Sequence, residues 1–356
     1  MNSASTSPES QWTFEAINRD VQALRELLIS CGLPPVPGGA LEQAANDARE
    51  LWDSFAGRSI HNRTRDHRPA WRRAVGLADL ARKILAVVGH KDFEQLRGHL
   101  ELLTGKEEFS LHDATEKENR ANNQVFELFV ATGVMRFASD IQVEEPNPKK
   151  ALKYRNPDVL ATWSGQRWGF ACKALHSEHP EALIENLRKG VKQIDASDAT
   201  AGMVLLNMKN LVPHDLLWPA DLRGGSWEYA SYDGPSDVRD RFTELFNGHL
   251  AEIFVHACGR DIAKSEDLNQ SDLDTGKKNV AKLFENSKTS RLLPQVWLGV
   301  AGTHMPDTGA RAISNYRLLL NFEFEPISPD EREVLEALCK AMQGRDPLAP
   351  EPALGE

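Results

Sequence analysis

Asn156-Pro157-Asp158-Val159-Leu160-Ala161-Thr162-Trp163-Ser164-Gly165-Gln166-Arg167-Trp168-Gly169-Phe170-Ala171-Cys172-Lys173 decides how the chain is read. Ser164-Gly165 is a turn signal, and the runs on either side are rich in Val, Leu, Trp and Phe. The stretch reads as two strands joined by a tight turn, with Asp158 early on the first and Lys173 at the end of the second. Side chains alternate faces along a strand, so Ala171 and Lys173 share one face, and Phe170 and Cys172 the other.

Upstream, Asn122 to Gly133 continues a helix whose start is marked by the capping-box pattern Thr115-Glu116-Lys117-Glu118. Phe126, Phe129 and Val130 fall at helical spacing, and Glu127 lies inside that apolar stretch. It belongs either at the edge of the stripe or turned inward, where a metal or a lysine would offset the cost of its burial. Arg136 to Val143 reads as a strand. Downstream, Leu183, Ile184, Leu187, Val191 and Ile194 make the apolar face of a helix over 181–196, and 202–207 reads as a buried strand. The order helix, strand, strand, strand, helix, strand predicts an α/β core with a mixed sheet.

The first hundred residues read as helices over 14–30, 41–55, 71–88 and 92–103, with no chemical motif. The C-terminal third reads as helices over 238–258, 276–286 and 329–342, with antiparallel strands over 295–302 and 316–324. Residues 1–12 and 346–356 are expected to be disordered. The expected division is a helical N-terminal region over 13–112 and an α/β domain with an α+β C-terminal extension over 113–345.

At 41% hydrophobic and 26% charged, the 356 residues have an ordinary globular composition. No apolar run nears the roughly 20 residues of a membrane-spanning helix, and the polar start predicts no secretory signal. Cys31, Cys172, Cys258 and Cys339 form no CxxC pair, which points to a reduced, cytoplasmic setting and away from structural zinc. A net charge of -10 argues against coating nucleic acid by bulk charge. Local basic clusters do exist. Arg58, Arg63, Arg65, Arg68, Arg72 and Arg73 read equally as a solvated surface or a phosphate contact. Lys149, Lys150, Lys153 and Arg155 abut the hairpin and are the candidate nucleic-acid contacts.

With Glu127, Asp158 and Lys173 in this order, residues 122–207 resemble the PD-(D/E)XK nuclease superfamily, the restriction-endonuclease-like fold. Pro157-Asp158 looks like its PD element, and Ala171-Cys172-Lys173 falls where its (D/E)XK element belongs. The resemblance implies a metal-dependent endonuclease acting on DNA, with a role in restriction or anti-phage defence, and action as a homodimer or in a larger complex. It implies magnesium or manganese held by Asp158 and Glu127. Lys173 would position or deprotonate the attacking water, and Gln193 would orient a water or contact the nucleic-acid backbone. His176, His179 and His304 read as surface loop histidines.

The departure is Ala171, where the family carries Asp or Glu. A deliberate inactivating substitution, a natural pseudo-nuclease and migration of the acid, to Glu178 or Asp195, compete as explanations. The intact surroundings favour the first, so the chain is expected to cleave poorly or not at all. A non-catalytic nucleic-acid-binding or assembly protein on the same fold, and an unrelated α/β domain, are the alternatives.

Overall fold

The computed structural model describes residues 5–6, 11–55, 65–114, 120–146, 156–177, 179–231, 237, 240, 243–244, 270–304, 312–323 and 326–349. Lys149, Lys150, Lys153, Arg155, Glu178, Cys258, the capping-box residues 115–118 and nearly all of the expected helix over 238–258 lie outside them.

Two short strands open the chain, β1 (Ser5–Thr6) and β2 (Gln11–Thr13). Four helices follow: α1 (Phe14–Ser30), α2 (Ala40–Phe55), α3 (Arg68–Leu85) and α4 (Arg97–Leu103). The Thr13 hydroxyl caps α1 by accepting from Ala16 N at 3.1 Å. Phe14, Ile17, Val21, Leu24 and Leu28 bury one α1 stripe. The core elements are α5 (Arg120–Met135), β3 (Ser139–Val143), β4 (Val159–Trp163), β5 (Gln166–Ala174), α6 (Pro180–Ala196) and β6 (Ala201–Asn207). After them come α7 (His214–Leu217), the hairpin β7 (Ala220–Arg223) and β8 (Ser226–Tyr229), α8 (Gln270–Ala281), β9 (Leu292–His304), β10 (Ala312–Glu323) and α9 (Pro329–Met342).

The fold is α/β, a mixed sheet flanked by helices. Strand order in the main sheet is β1-β10-β9-β6-β5-β4-β3, with β2 also on β10. The β3-β4-β5 meander is antiparallel, and β6 returns parallel to β5 through α6. The predicted turn closes the β4–β5 hairpin with Ser164 and Gly165 both at positive φ, 47° and 76°, the conformation a two-residue hairpin loop requires. The segment expected as a disordered N-terminal tail supplies β1 and β2, both antiparallel to β10. Likewise β9 and β10, expected as an extension, pair antiparallel with each other, and β9 continues the main sheet beside β6. The pairings of β1 and β2 with β10, such as Ser5 with Leu319, and of β9 with β6, such as Gln295 with Leu206, join residues far apart in the chain and leave no local sequence signature.

Among the described residues two apolar cores form. The larger joins α1–α5 to one face of the sheet and includes Phe170 and Cys172. The smaller lies beneath α6 and includes Ala171, Leu183, Leu187, Val191, Ile194 and Val204. Alternation along β5 therefore divides its residues as the sequence predicts. The N-terminal helices contribute to the larger core together with α5 and the sheet.

Candidate active site

Asp158 immediately precedes β4 and is buried. Its approach is fixed by Pro157, whose ring lies over Gly169: a methyl group at position 169 would come within 3.0 Å of the proline Cγ. The register Val159↔Phe170 places Asp158 across from the Ala171–Cys172 end of β5. Asp158 Oδ2 accepts from Cys172 N at 2.5 Å and from Lys173 Nζ at 3.1 Å. Lys173 Nζ also donates to Cys172 O at 2.8 Å. The two charged side chains are only 9% and 12% exposed.

Burial pushes the Asp158 carboxyl upward, opposed by the Lys173 ammonium and reinforced by the charge of Glu127. Burial alone would pull Lys173 down, but Asp158, with Cys172 and Glu127, more than offsets this, and the ammonium is held above its ordinary value. Burial also raises the Cys172 thiol well above its ordinary value, which makes it a core residue rather than a nucleophile.

Glu127 projects from α5, a helix buried on most of its circumference. Its Oε2 stands 3.2 Å from Nε2 of His99, a buried side chain of α4. Its charge raises both Asp158 and Glu144, so the structure gathers Glu127, Asp158 and Lys173 into one electrostatic neighbourhood. Gln193 is also buried, but its Nε2 donates to Asn156 O at 3.2 Å. It ties α6 to the segment entering Asp158 and makes no described hydrogen bond to the acid or the lysine.

No family model, curated protein or solved structure matches this chain.

The surroundings of Ala171 are closed. It is fully buried among the apolar residues beneath α6. The helix backbone presses on the sheet at Gly190, where an added methyl would lie 2.8 Å from Val204 Cγ2 and 3.4 Å from the Ala171 Cβ. Asp195, one of the acids considered as its replacement, is engaged elsewhere: Oδ1 accepts from Ser287 Oγ at 2.7 Å and Lys288 N at 3.0 Å.

Two residues of the site carry no mark in the sequence. One is His99. The other is Glu144, whose N–H donates to Asp158 O at 3.0 Å. Burial, then Asp158 and Glu127, push the Glu144 carboxyl up to about 7, with Lys173 opposing. Among the described residues no three acid, His or Cys side chains form a closed ligand cluster. The donors near Asp158 are hard carboxylate oxygens, which suit magnesium or manganese, and they would have to draw together around an ion.

The remaining candidates are structural. His176 bridges Asn123 and Asn210. His179 is the exposed residue before α6, and the His304 side chain lies outside the described residues. Arg68, Arg72 and Arg73 of the first basic cluster pair with Asp66, Asp113 and Asp47. Cys31 and Cys172 are free thiols, and Cys339 is buried. Among the described residues no helix is long and apolar enough to cross a membrane.

Proposed function

We propose that the chain is a metal-dependent nuclease of PD-(D/E)XK type, hydrolysing phosphodiester bonds of DNA. The observation that carries this reading is the buried Asp158–Lys173 pair at the end of the hairpin, on which the charge of Glu127 acts. The element order α5-β3-β4-β5-α6-β6 supports the restriction-endonuclease-like reading of the core. In this reading Asp158 and Glu127 hold the ion. A bound magnesium or manganese ion supplies a Lewis acid and lowers the pKa of a water.

The protein's own contribution follows from the site. Asp158 keeps Lys173 protonated, so the ammonium serves as a fixed donor and positive charge beside the phosphate rather than as a base. Burial of the pair excludes bulk water and strengthens that charge. Gln193 holds the Asn156 backbone and so fixes where Asp158 enters the sheet. Lys149, Lys150, Lys153 and Arg155 would meet the phosphate backbone, and a homodimer would set two sites against the two strands of a duplex. A restriction or anti-phage role follows only by analogy to the family, because fold does not fix substrate.

Ala171 favours a second reading, a nucleic-acid-binding protein on the same core that does not cut. Plasmid nicking in magnesium or manganese separates the two. Nicking that is lost in Asp158→Asn and in chelator supports the nuclease. Binding of DNA without nicking in any metal supports the second reading.

A further inference from the structure

The β3–β4 register pairs Gln142 with Leu160 and Val143 with Val159. One step further sets Glu144 opposite Asp158, and the 3.0 Å bond from Glu144 N to Asp158 O holds that step in place. Directly opposed residues on antiparallel strands project to the same side, with Cβ atoms about 4.5–5.5 Å apart. On the other flank of Asp158, the β4–β5 register continues to Ala171. Glu144, Asp158 and Ala171 thus form one row across three strands. The position on β5 is closed by α6, while the position on β3 carries a carboxylate.

We propose that Glu144 is the third metal-ligating carboxylate of this site, supplied from the end of β3 in place of the acid that β5 lacks. The inference rests on the nuclease reading above and deepens it. Both described hydrogen bonds to the Asp158 carboxylate land on Oδ2, which leaves Oδ1 to share an ion with a neighbour. Glu144 is half-buried, and its backbone bond to Asp158 sets the two carboxylates side by side, where a divalent cation would bridge them. Under this assignment the chain is competent as written, and Ala171 is the packing residue of a site whose acid sits on another strand.

The test is manganese binding to the full chain, read by the paramagnetic resonance signal of the free ion and by calorimetry. The variants are Glu144→Gln, Asp158→Asn and, as an exposed control, Glu145→Gln. Glu144→Gln should weaken manganese binding about tenfold or more, as Asp158→Asn does, because even an outer-shell partner is worth about 10–100-fold. Glu145→Gln should bind as the parent does. Circular dichroism confirms the fold of each. If Glu144→Gln does not fold, Glu144→Asp retains the charge on a shorter arm and should weaken binding to a lesser degree. Glu144→Gln, or Glu144→Asp in its place, binding manganese as the parent does while Asp158→Asn loses it overturns the role of Glu144 and leaves the nuclease reading standing. A parent chain that neither binds manganese nor nicks DNA overturns both.

Discussion

Lys173 Nζ lies 3.1 Å from Asp158 Oδ2, and neither side chain is more than 12% exposed. A pair buried to this degree is weak evidence for stability as a pair, yet breaking it by removing one partner costs about 3–5 kcal/mol, because the other charge is left unpaired in a poor solvent. Lys173→Met should therefore destabilise the protein at neutral pH by an amount in that range. The double variant Asp158→Asn/Lys173→Met should cost clearly less than the sum of the two single changes, with a coupling of about 1–3 kcal/mol. Urea unfolding of the four proteins measures this, and simple additivity would show that the contact carries no energy.

The contact between His99 and Glu127 makes a different kind of prediction. His99 comes from α4, outside the α5–β6 core, and its Nε2 faces the Glu127 carboxylate from a buried position. A partner of that kind orients a ligand without touching substrate. His99→Ala should raise the manganese concentration giving half-maximal nicking by about 10–100-fold. His99→Gln, which restores a donor, should recover part of the loss. Equal losses in the two variants, scaling only with thermal stability, would make His99 a packing residue.

The sequence is legible where structure is local. Asp158 and Lys173 meet because a two-residue turn sets the register of one hairpin, and both halves of that hairpin are contiguous. The α6 stripe and the alternation of Ala171 with Phe170 and Cys172 follow from periodicity alone. Glu144 was not legible for a physical reason. Its place beside Asp158 depends on β3 pairing with β4 across the connection that begins after Pro146, and only that pairing makes the Val143-Glu144-Glu145 run more than two acids after a strand. His99 is further removed still, because its approach to Glu127 depends on α4 packing against α5. Trp12 is buried on a strand whose partner, β10, begins at Ala312, and no local pattern announces a pairing over that separation.

Ala171 offers a direct measurement of what its position tolerates. A glutamate there must find room against α6 where the helix already touches the sheet at Gly190, and its carboxylate would stand among Leu183, Leu187, Val191 and Val204. Overpacking costs about 1–3 kcal/mol, and a buried carboxylate adds more. Ala171→Glu should lower the unfolding temperature sharply and should not increase nicking. Ala171→Ser, close in volume, should fold and nick as the parent does. A well-folded Ala171→Glu protein that cleaves faster than the parent would restore the reading of Ala171 as an inactivating substitution.

Lys209 gives the fold a pH dependence that lies away from the site. It is buried at the end of β6, where its ammonium donates to Ser110 O and lies 3.5 Å from Asn122 Oδ1. Burial lowers it from 10.5 to about 7, with the charge of Asp113 opposing. Between those two values the unfolded chain holds the proton and the folded chain does not, so unfolding takes up a proton and stability increases with pH. The stabilisation is complete above about 10.5, is lost as pH falls, and levels off below about 7. The steepest slope this one group supplies is about 1.4 kcal/mol per pH unit. Lys209→Met removes the titrating group while filling the same space. Urea unfolding at a series of pH values from 7 to 10 should therefore show the parent gaining stability relative to Lys209→Met as pH rises. Parallel curves for the two proteins would mean that Lys209 keeps its proton on folding.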